Sequence, residues 1–307
     1  MAIIYGTNYN DNGTYNGFPY IYRRALTGTV GSDWIYGFAG NDIIRGGAGN
    51  DRIYGGANND WISGGTGHDY LDGGTGVDTV DYTHFSGNGV YNLAAGTASS
   101  PSVSYVERML NFENINTGAG NDTIYGTAGA NYIRSGAGHD RVYAGAGNDT
   151  IVGSYGNDIL KGDSGNDRIY GGANNDWISG GTGHDYLDGG TGVDTVDYTH
   201  FSGHGVYNLA AGTASSPSVS YVERMLNFEN INTGAGNDTI YGTGGANYIR
   251  SGAGHDRVYA GAGNDTIVGS YGNDILKGDS GNDRIYGGAN NDWISGGTGH
   301  DYLDGGT

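Results

Sequence analysis

An aspartate returns at every ninth residue over long stretches of this chain. The first run is Asp33, Asp42, Asp51, Asp60, Asp69 and Asp78. The second is Asp122, Asp140, Asp149, Asp158, Asp167, Asp176, Asp185 and Asp194. The third is Asp238, Asp256, Asp265, Asp274, Asp283, Asp292 and Asp301. The rhythm is broken only by Asn131 and Asn247. A plain Asx turn cap would not need a phase kept this strictly. Carboxylates beside small-residue loops, whose carbonyls can turn inward, form an all-oxygen donor set, and six to eight such oxygens suit Ca²⁺. Zn²⁺ would call for Cys or His; the chain has no Cys, and His enters the loops only occasionally. Mg²⁺ would keep more water and demand stricter geometry. The charge agrees: 33 acidic against 14 basic residues leave −19, and neutralising the 21 periodic aspartates would take −19 to +2. These 21 residues are the candidate metal ligands, for multiple Ca²⁺ ions.

The elements that must position them follow from one repeat, Gly46-Gly47-Ala48-Gly49-Asn50-Asp51-Arg52-Ile53-Tyr54. The first six residues are turn formers. The last three are a minimal strand whose alternation puts Ile53 inside and Arg52 and Tyr54 outside. The position of Ile53 is Ile, Val or Leu in every repeat, and the fourth position is Gly except at Asn58, Asn174 and Asn290. One apolar side chain per nine residues makes a core only when coils stack into a ladder. Carboxylates stacked about 4.8 Å apart would then repel, so the arrangement needs a bound cation.

A second period of 116 residues overlies the first. Residues 51–166 recur as 167–282 with two differences, Asn88 against His204 and Ala128 against Gly244, and 283–307 restart the text. This divides the chain into an aromatic, irregular N-terminal cap (1–27) and three repeat blocks (28–81, 117–197 and 233–307, the last incomplete), separated by two interludes (82–116 and 198–232). The interludes hold the only glutamates, and the stretches Val90–Leu93 and Leu110–Ile115 read as strands. If an interlude follows the roll as about four nonapeptides, each 116-residue copy spans an odd number of half-coils. Trp61, Trp177 and Trp293 then fall on alternate faces. The chain stops in mid-repeat, as expected of a piece of a longer protein.

GGAGNDRIY and its neighbours resemble the GGxGxDxUx nonapeptide of the RTX, or hemolysin-type calcium-binding, family, and the resemblance runs from Gly28 to Thr307. It implies an all-β fold, a right-handed parallel β-roll with two nonapeptides per coil and Ca²⁺ between stacked turns. It pairs Asp33 with Asp51, Asp42 with Asp60, Asp51 with Asp69, and Asp60 with Asp78. Val80-Asp81-Tyr82, Leu93–Ala98 and Phe112-Glu113-Asn114-Ile115 are similar to spacers between RTX blocks. Asn131 and Asn247 depart from the motif, as do Thr117, Ser135, Ala144 and Asp163 in place of loop glycines, so weaker or empty sites are expected around 117–143.

Several function classes fall away. An acidic chain offers no basic face for nucleic acid, and no apolar stretch reaches membrane-spanning length. Gly162-Asp163-Ser164-Gly165 looks like the surroundings of a serine nucleophile, yet it lies in register as turn positions, and no catalytic motif accompanies it. His68, His139, His184, His255 and His300 read as exposed turn residues. Trp34, Tyr54, Trp61, Tyr70 and Tyr125 read as outward ladders. The expectation is a non-enzymatic, secreted, cell-surface structural or adhesive protein whose folding depends on Ca²⁺. Its further partners would be a surface polymer or neighbouring copies. The resemblance also implies export by type I secretion. The alternatives are the RTX portion of a type I-secreted enzyme or toxin and, less well matched by the mostly Ala third position, an ice-binding roll.

Overall fold

The computed structural model describes residues 1–307 except 10, 12–14, 17–20, 23–24, 102–104 and 217–218. All regular elements among the described residues are β-strands, most of them in two parallel sheets facing one another, and the fold is a parallel β-solenoid of the β-roll kind. Strand pairing repeats every 18 residues, which is two nonapeptides per coil: Ile35 lies opposite Ile53, and Ile53 opposite Leu71. The strands exceed the expected three residues in many coils, as in Arg52–Ala57 and Trp61–Thr66. The first three residues of the next nonapeptide continue the pairing because Gly47, at φ +105, turns the backbone without breaking the ladder.

The chain forms two compact units, 1–154 and 155–307. In the first, one sheet runs in parallel through Ile3–Tyr5, Trp34–Ala39, Arg52–Ala57, Tyr70–Thr75 and Tyr105–Leu110. The opposing sheet runs through Ile43–Ala48, Trp61–Thr66, Thr79–Asp81, Asn114–Asn116 and Tyr132–Arg134. Between the sheets lies a core one side chain wide. Ile35, Ile53 and Leu71 form one ladder and Ile44, Ile62, Val80, Ile115 and Ile133 the other, all fully buried. The alternation read from the repeat therefore holds. On the outer face Tyr36 stacks on Tyr54 with centroids 5.2 Å apart, Tyr125 stacks on Tyr143 at 5.3 Å, and the Arg52 guanidinium lies 5.0 Å from the Trp34 ring. These contacts are the expected outward ladder.

The interlude departs from expectation. It does not follow the roll as four nonapeptides. Val90–Asn92, Thr97–Ser100 and Tyr105–Leu110 form an antiparallel meander inside one sheet, with parallel neighbours on both flanks. Leu110–Ile115 is not one strand either. Asn111, at φ +57, turns the chain between Tyr105–Leu110 and Asn114–Asn116. The meander brings larger side chains than the ladders use: Tyr82, Tyr91, Met109 and Phe112 are buried, and the two tyrosine rings sit 4.8 Å apart. The N-terminal segment is less irregular than its composition suggests, since Ile3–Tyr5 already pairs with Trp34–Tyr36. Much of 10–24 lies outside the described residues.

The second unit repeats this plan. Ile159–Lys161, Trp177–Ser179, Thr195–Tyr198 and Asn230–Thr233 share one sheet. The meander of Val206–Asn208, Thr213–Ser216 and Val219–Leu226 lies in the other, which also holds Trp293–Ser295. Trp177 and Trp293, equivalent residues of successive copies, thus stand on opposite sheets of this unit. The meander stays in one sheet, so the number of crossings per copy remains odd.

Because the core is a single ladder, each rung carries a large share of local stability. Ile62→Ala should cost about 2–5 kcal/mol in a urea titration at saturating calcium. Trp61→Ala, on the same strand but 41% exposed, should cost clearly less.

Candidate metal centres

Each repeat places its aspartate at the end of a turn, where the chain dives into a strand. In the Gly46–Tyr54 repeat, Gly47 and Gly49 both take left-handed φ, +105 and +113. This curls the loop tightly enough to bury Asp51, which is 1% exposed. The backbone N–H of Asp33 donates to Asp51 Oδ1 at 2.8 Å, and the N–H of Asp51 donates to Asp69 Oδ1 at 2.8 Å. Asp42, Asp60 and Asp78 form the same chain on the opposing row of turns. In the second unit, the same link joins Asp158 to Asp176, Asp176 to Asp194, Asp167 to Asp185, Asp238 to Asp256, Asp256 to Asp274, Asp274 to Asp292, Asp265 to Asp283 and Asp283 to Asp301. Asp122 is joined to Asp140 in the first unit. The pairs implied by the resemblance are the pairs the fold brings together.

The second carboxylate oxygen is the informative one. In Asp51, Asp60, Asp69, Asp78, Asp176, Asp185, Asp194, Asp265, Asp274, Asp283 and Asp292, Oδ2 is buried and accepts no hydrogen bond. It faces a backbone carbonyl: a Cβ added to Gly46 would lie 2.5 Å from Asp51 Oδ2 and 2.3 Å from the Gly64 carbonyl oxygen. Two acceptors therefore share one small space that only a glycine leaves open. A buried carboxylate without a partner is costly. Burial accordingly pushes Asp60 and Asp176 up to about 7, and Asp69, Asp78, Asp194 and Asp265 up to about 6. The N–H from the preceding coil pulls each of them back down, and neighbouring carboxylates add to the rise. A cation answers both the burial and the repulsion. Among the described residues no three His, Cys, Asp or Glu side chains gather in one place. The groups that face one another in the turns are carboxylate and carbonyl oxygens, a donor set that suits Ca²⁺ better than Zn²⁺.

A different turn occurs where Thr takes the second position. Thr29 donates its N–H and its hydroxyl to Asp33 Oδ2 at 2.6 and 2.7 Å, and the Ala2 N–H donates to Asp33 Oδ1. The Thr29 hydroxyl and these N–H groups hold the Asp33 carboxyl below its ordinary value. Of the 21 candidate ligands, Asp33 is thus one whose two oxygens already have donors. Asn131 is built the same way. Its Oδ1 accepts from the Thr127 N–H at 2.7 Å, and its Nδ2 donates to the Glu113 carbonyl at 2.6 Å. Asn247 repeats this with Thr243 and Glu229. At 117–135 the replaced glycines also act through their hydroxyls: Thr117 Oγ1 donates to the Ser135 carbonyl and Ser135 Oγ to the Gly153 carbonyl. Here side chains supply the donors that a cation would replace.

Four glutamates and one aspartate escaped the periodic reading. Asp78 donates its N–H to Glu113 Oε2 at 2.8 Å, as it would to an aspartate one coil on, and Asp194 does the same to Glu229. Counting nine backward from the second block puts Glu113 at the aspartate position and Ile115 at the ladder position, so the signal was present. Glu107 precedes Arg108-Met109-Leu110, which pairs with Tyr70-Leu71-Asp72. It accepts from the Tyr82 hydroxyl at 2.6 Å, and burial lifts it to about 8; Glu223 stands likewise beside Tyr198 at about 7. Asp11 donates its N–H to Asp42 Oδ1 and accepts from the Thr7 N–H, extending one row into the N-terminal segment.

The family model described as RTX calcium-binding nonapeptide repeat (4 copies) matches residues 25–53, 45–80, 116–151, 143–176, 161–196, 232–267 and 268–303. The chain belongs to this RTX family. No curated protein matches it. The RTX matches cover the three blocks and stop short of the interiors of both interludes, where the meanders interrupt the period. No helix among the described residues is long and apolar enough to cross a membrane.

The raised carboxyls fix the sign of the pH response without metal. Acids whose folded pKa lies above the unfolded value bind protons on folding. Their contribution is fully present below about pH 4 and is lost as pH rises through about 6 to 8. In EGTA, far-UV circular dichroism should therefore show β structure increasing from pH 8 to pH 5. A β signal that falls on acidification would contradict the burial of these side chains.

Proposed function

We propose that this RTX chain is an extracellular structural or adhesive module that folds when Ca²⁺ enters its turns, and that it has no catalytic role. The observation that carries this reading is the succession of buried, unpartnered carboxylate oxygens along both rows of turns. The apolar ladder alone stabilises each coil by only a few kcal/mol. Each further coil adds a buried charge, so metal binding and folding become one process. A protein of this kind stays unfolded at low cytosolic calcium and folds outside the cell, which suits passage through a type I secretion channel. The 116-residue duplication supports a mechanical or multivalent role, since repeating a surface multiplies contacts. The placement of Trp177 and Trp293 on opposite sheets of the second unit gives that unit a similar aromatic chemistry on two faces.

Far-UV circular dichroism during a calcium titration tests the reading. A cooperative coil-to-β transition is expected at about 10⁻⁴–10⁻³ M Ca²⁺, the range of extracellular sites, with reversal by EGTA. A full β spectrum in excess EGTA at neutral pH would sink it. Antibody labelling of intact and permeabilised source cells tests the location: signal only after permeabilisation would rule out the surface.

A further inference from the structure

The two interludes look like interruptions of the metal-binding rows, yet each contributes a carboxylate and a carbonyl in the arrangement of the ordinary turns. In an ordinary turn, Asp60 Oδ1 accepts from the Asp42 N–H, and a Cβ on Gly55 would meet Asp60 Oδ2 at 2.4 Å and the Gly73 carbonyl oxygen at 2.5 Å. At the end of the first block, Asp78 Oδ1 accepts from the Asp60 N–H at 2.8 Å. A Cβ on Gly73 would meet the Asn111 carbonyl oxygen at 2.2 Å and Asp78 Oδ2 at 2.7 Å. The Asn111 carbonyl stands where a glycine carbonyl stands in the ordinary turn, and Asn111 itself has a left-handed φ of +57. Glu113 has replaced the next aspartate, with Oε2 held 2.8 Å from the Asp78 N–H. The chain takes 35 residues instead of 18 to reach this point, and the longer side chain still reaches the row. Asp78 is fully buried, and its Oδ2 has no hydrogen-bond partner.

The second copy reproduces every feature. Asp194 is fully buried with Oδ2 unpartnered. Glu229 Oε2 accepts its N–H at 2.8 Å, and the Asn227 carbonyl and Asp194 Oδ2 lie 2.3 and 2.7 Å from a Cβ placed on Gly189. Asn227 also has φ +57.

We infer that Asp78 with Glu113 and the Asn111 carbonyl, and Asp194 with Glu229 and the Asn227 carbonyl, form two further calcium sites that clamp each interlude onto the block before it. The inference rests on the calcium reading above. The glutamates are the ligands that the nonapeptide motif does not predict. Beyond each clamp the same row continues into the uncharged Asn131 or Asn247 turn, whose amide donates to the Glu113 or Glu229 carbonyl. The metal-bearing run in that row therefore ends at the glutamate.

Native mass spectrometry of the full chain at saturating calcium resolves the integer number of bound ions. Glu113→Gln with Glu229→Gln keeps an oxygen to accept each aspartate N–H but removes the charge. The double variant should carry two fewer Ca²⁺ than the parent, and each single variant one fewer. In a calcium titration followed by hydrogen exchange, protection of residues 105–116 in the Glu113→Gln variant should require about tenfold more calcium. Residues 221–232, in the unaltered copy, serve as the internal reference. An unchanged ion count with unchanged protection would overturn the clamp while leaving calcium-driven folding intact. A parent chain that binds no Ca²⁺ would instead overturn the function proposed above.

Discussion

One contact repeats through the whole molecule: a backbone N–H at the end of a turn donates to the carboxylate of the turn one coil further on. It fixes the stacking distance, holds the carboxylate out of water, and leaves its second oxygen facing a carbonyl. Such a pair of acceptors is repulsive when empty and attractive around a divalent cation. The parallel sheets, the one-residue ladder and the tight loops all depend on how that local charge is compensated. One Ile, Val or Leu per nine residues buries far less apolar area than a conventional core does.

Glycine matters here for two separate reasons. At Gly46 the backbone is ordinary, but a Cβ would fill the space shared by Asp51 Oδ2 and the Gly64 carbonyl, so the residue keeps the cavity open. At Gly47 the left-handed φ is what lets the loop curl back into the next strand. Where Thr stands at the second position instead, as at Thr29 and Thr127, the chain uses N–H and hydroxyl donors to satisfy the same oxygens. The molecule therefore mixes turns whose carboxylate Oδ2 has no hydrogen-bond partner with turns whose side chains supply the donors. The latter fall at the start of the chain's coils and just after each interlude.

The interludes solve a different problem. Their antiparallel meander brings Tyr82, Tyr91, Met109 and Phe112 into a solenoid otherwise filled by single aliphatic side chains. This makes a thicker local core. The neutralised or hydrogen-bonded carboxyls Glu107 and Glu223, each against a tyrosine hydroxyl, belong to that core. The apolar packing along the chain is accordingly uneven: one aliphatic side chain per repeat in the blocks and several large side chains in the interludes.

The period of nine determined most of this protein by itself. It put Ile53 inside and Tyr54 outside and marked the aspartates as the oxygen donors, because alternation and phase are local properties that a sequence states directly; coils of 18 residues were implied only by the resemblance to RTX repeats. The repeat also showed that Asn131 and Asn247 would differ. Only the tertiary structure decided what lies where the phase is lost. It revealed that Glu113 and Asn111 re-enter the row after a detour of irregular length, that Leu110–Ile115 bends instead of running straight, and that Asp33 is already satisfied by Thr29 and Ala2. These outcomes depend on contacts between residues far apart in the chain. No periodicity encodes the path of a meander, since its register is set by which neighbouring strands and buried aromatic rings it meets.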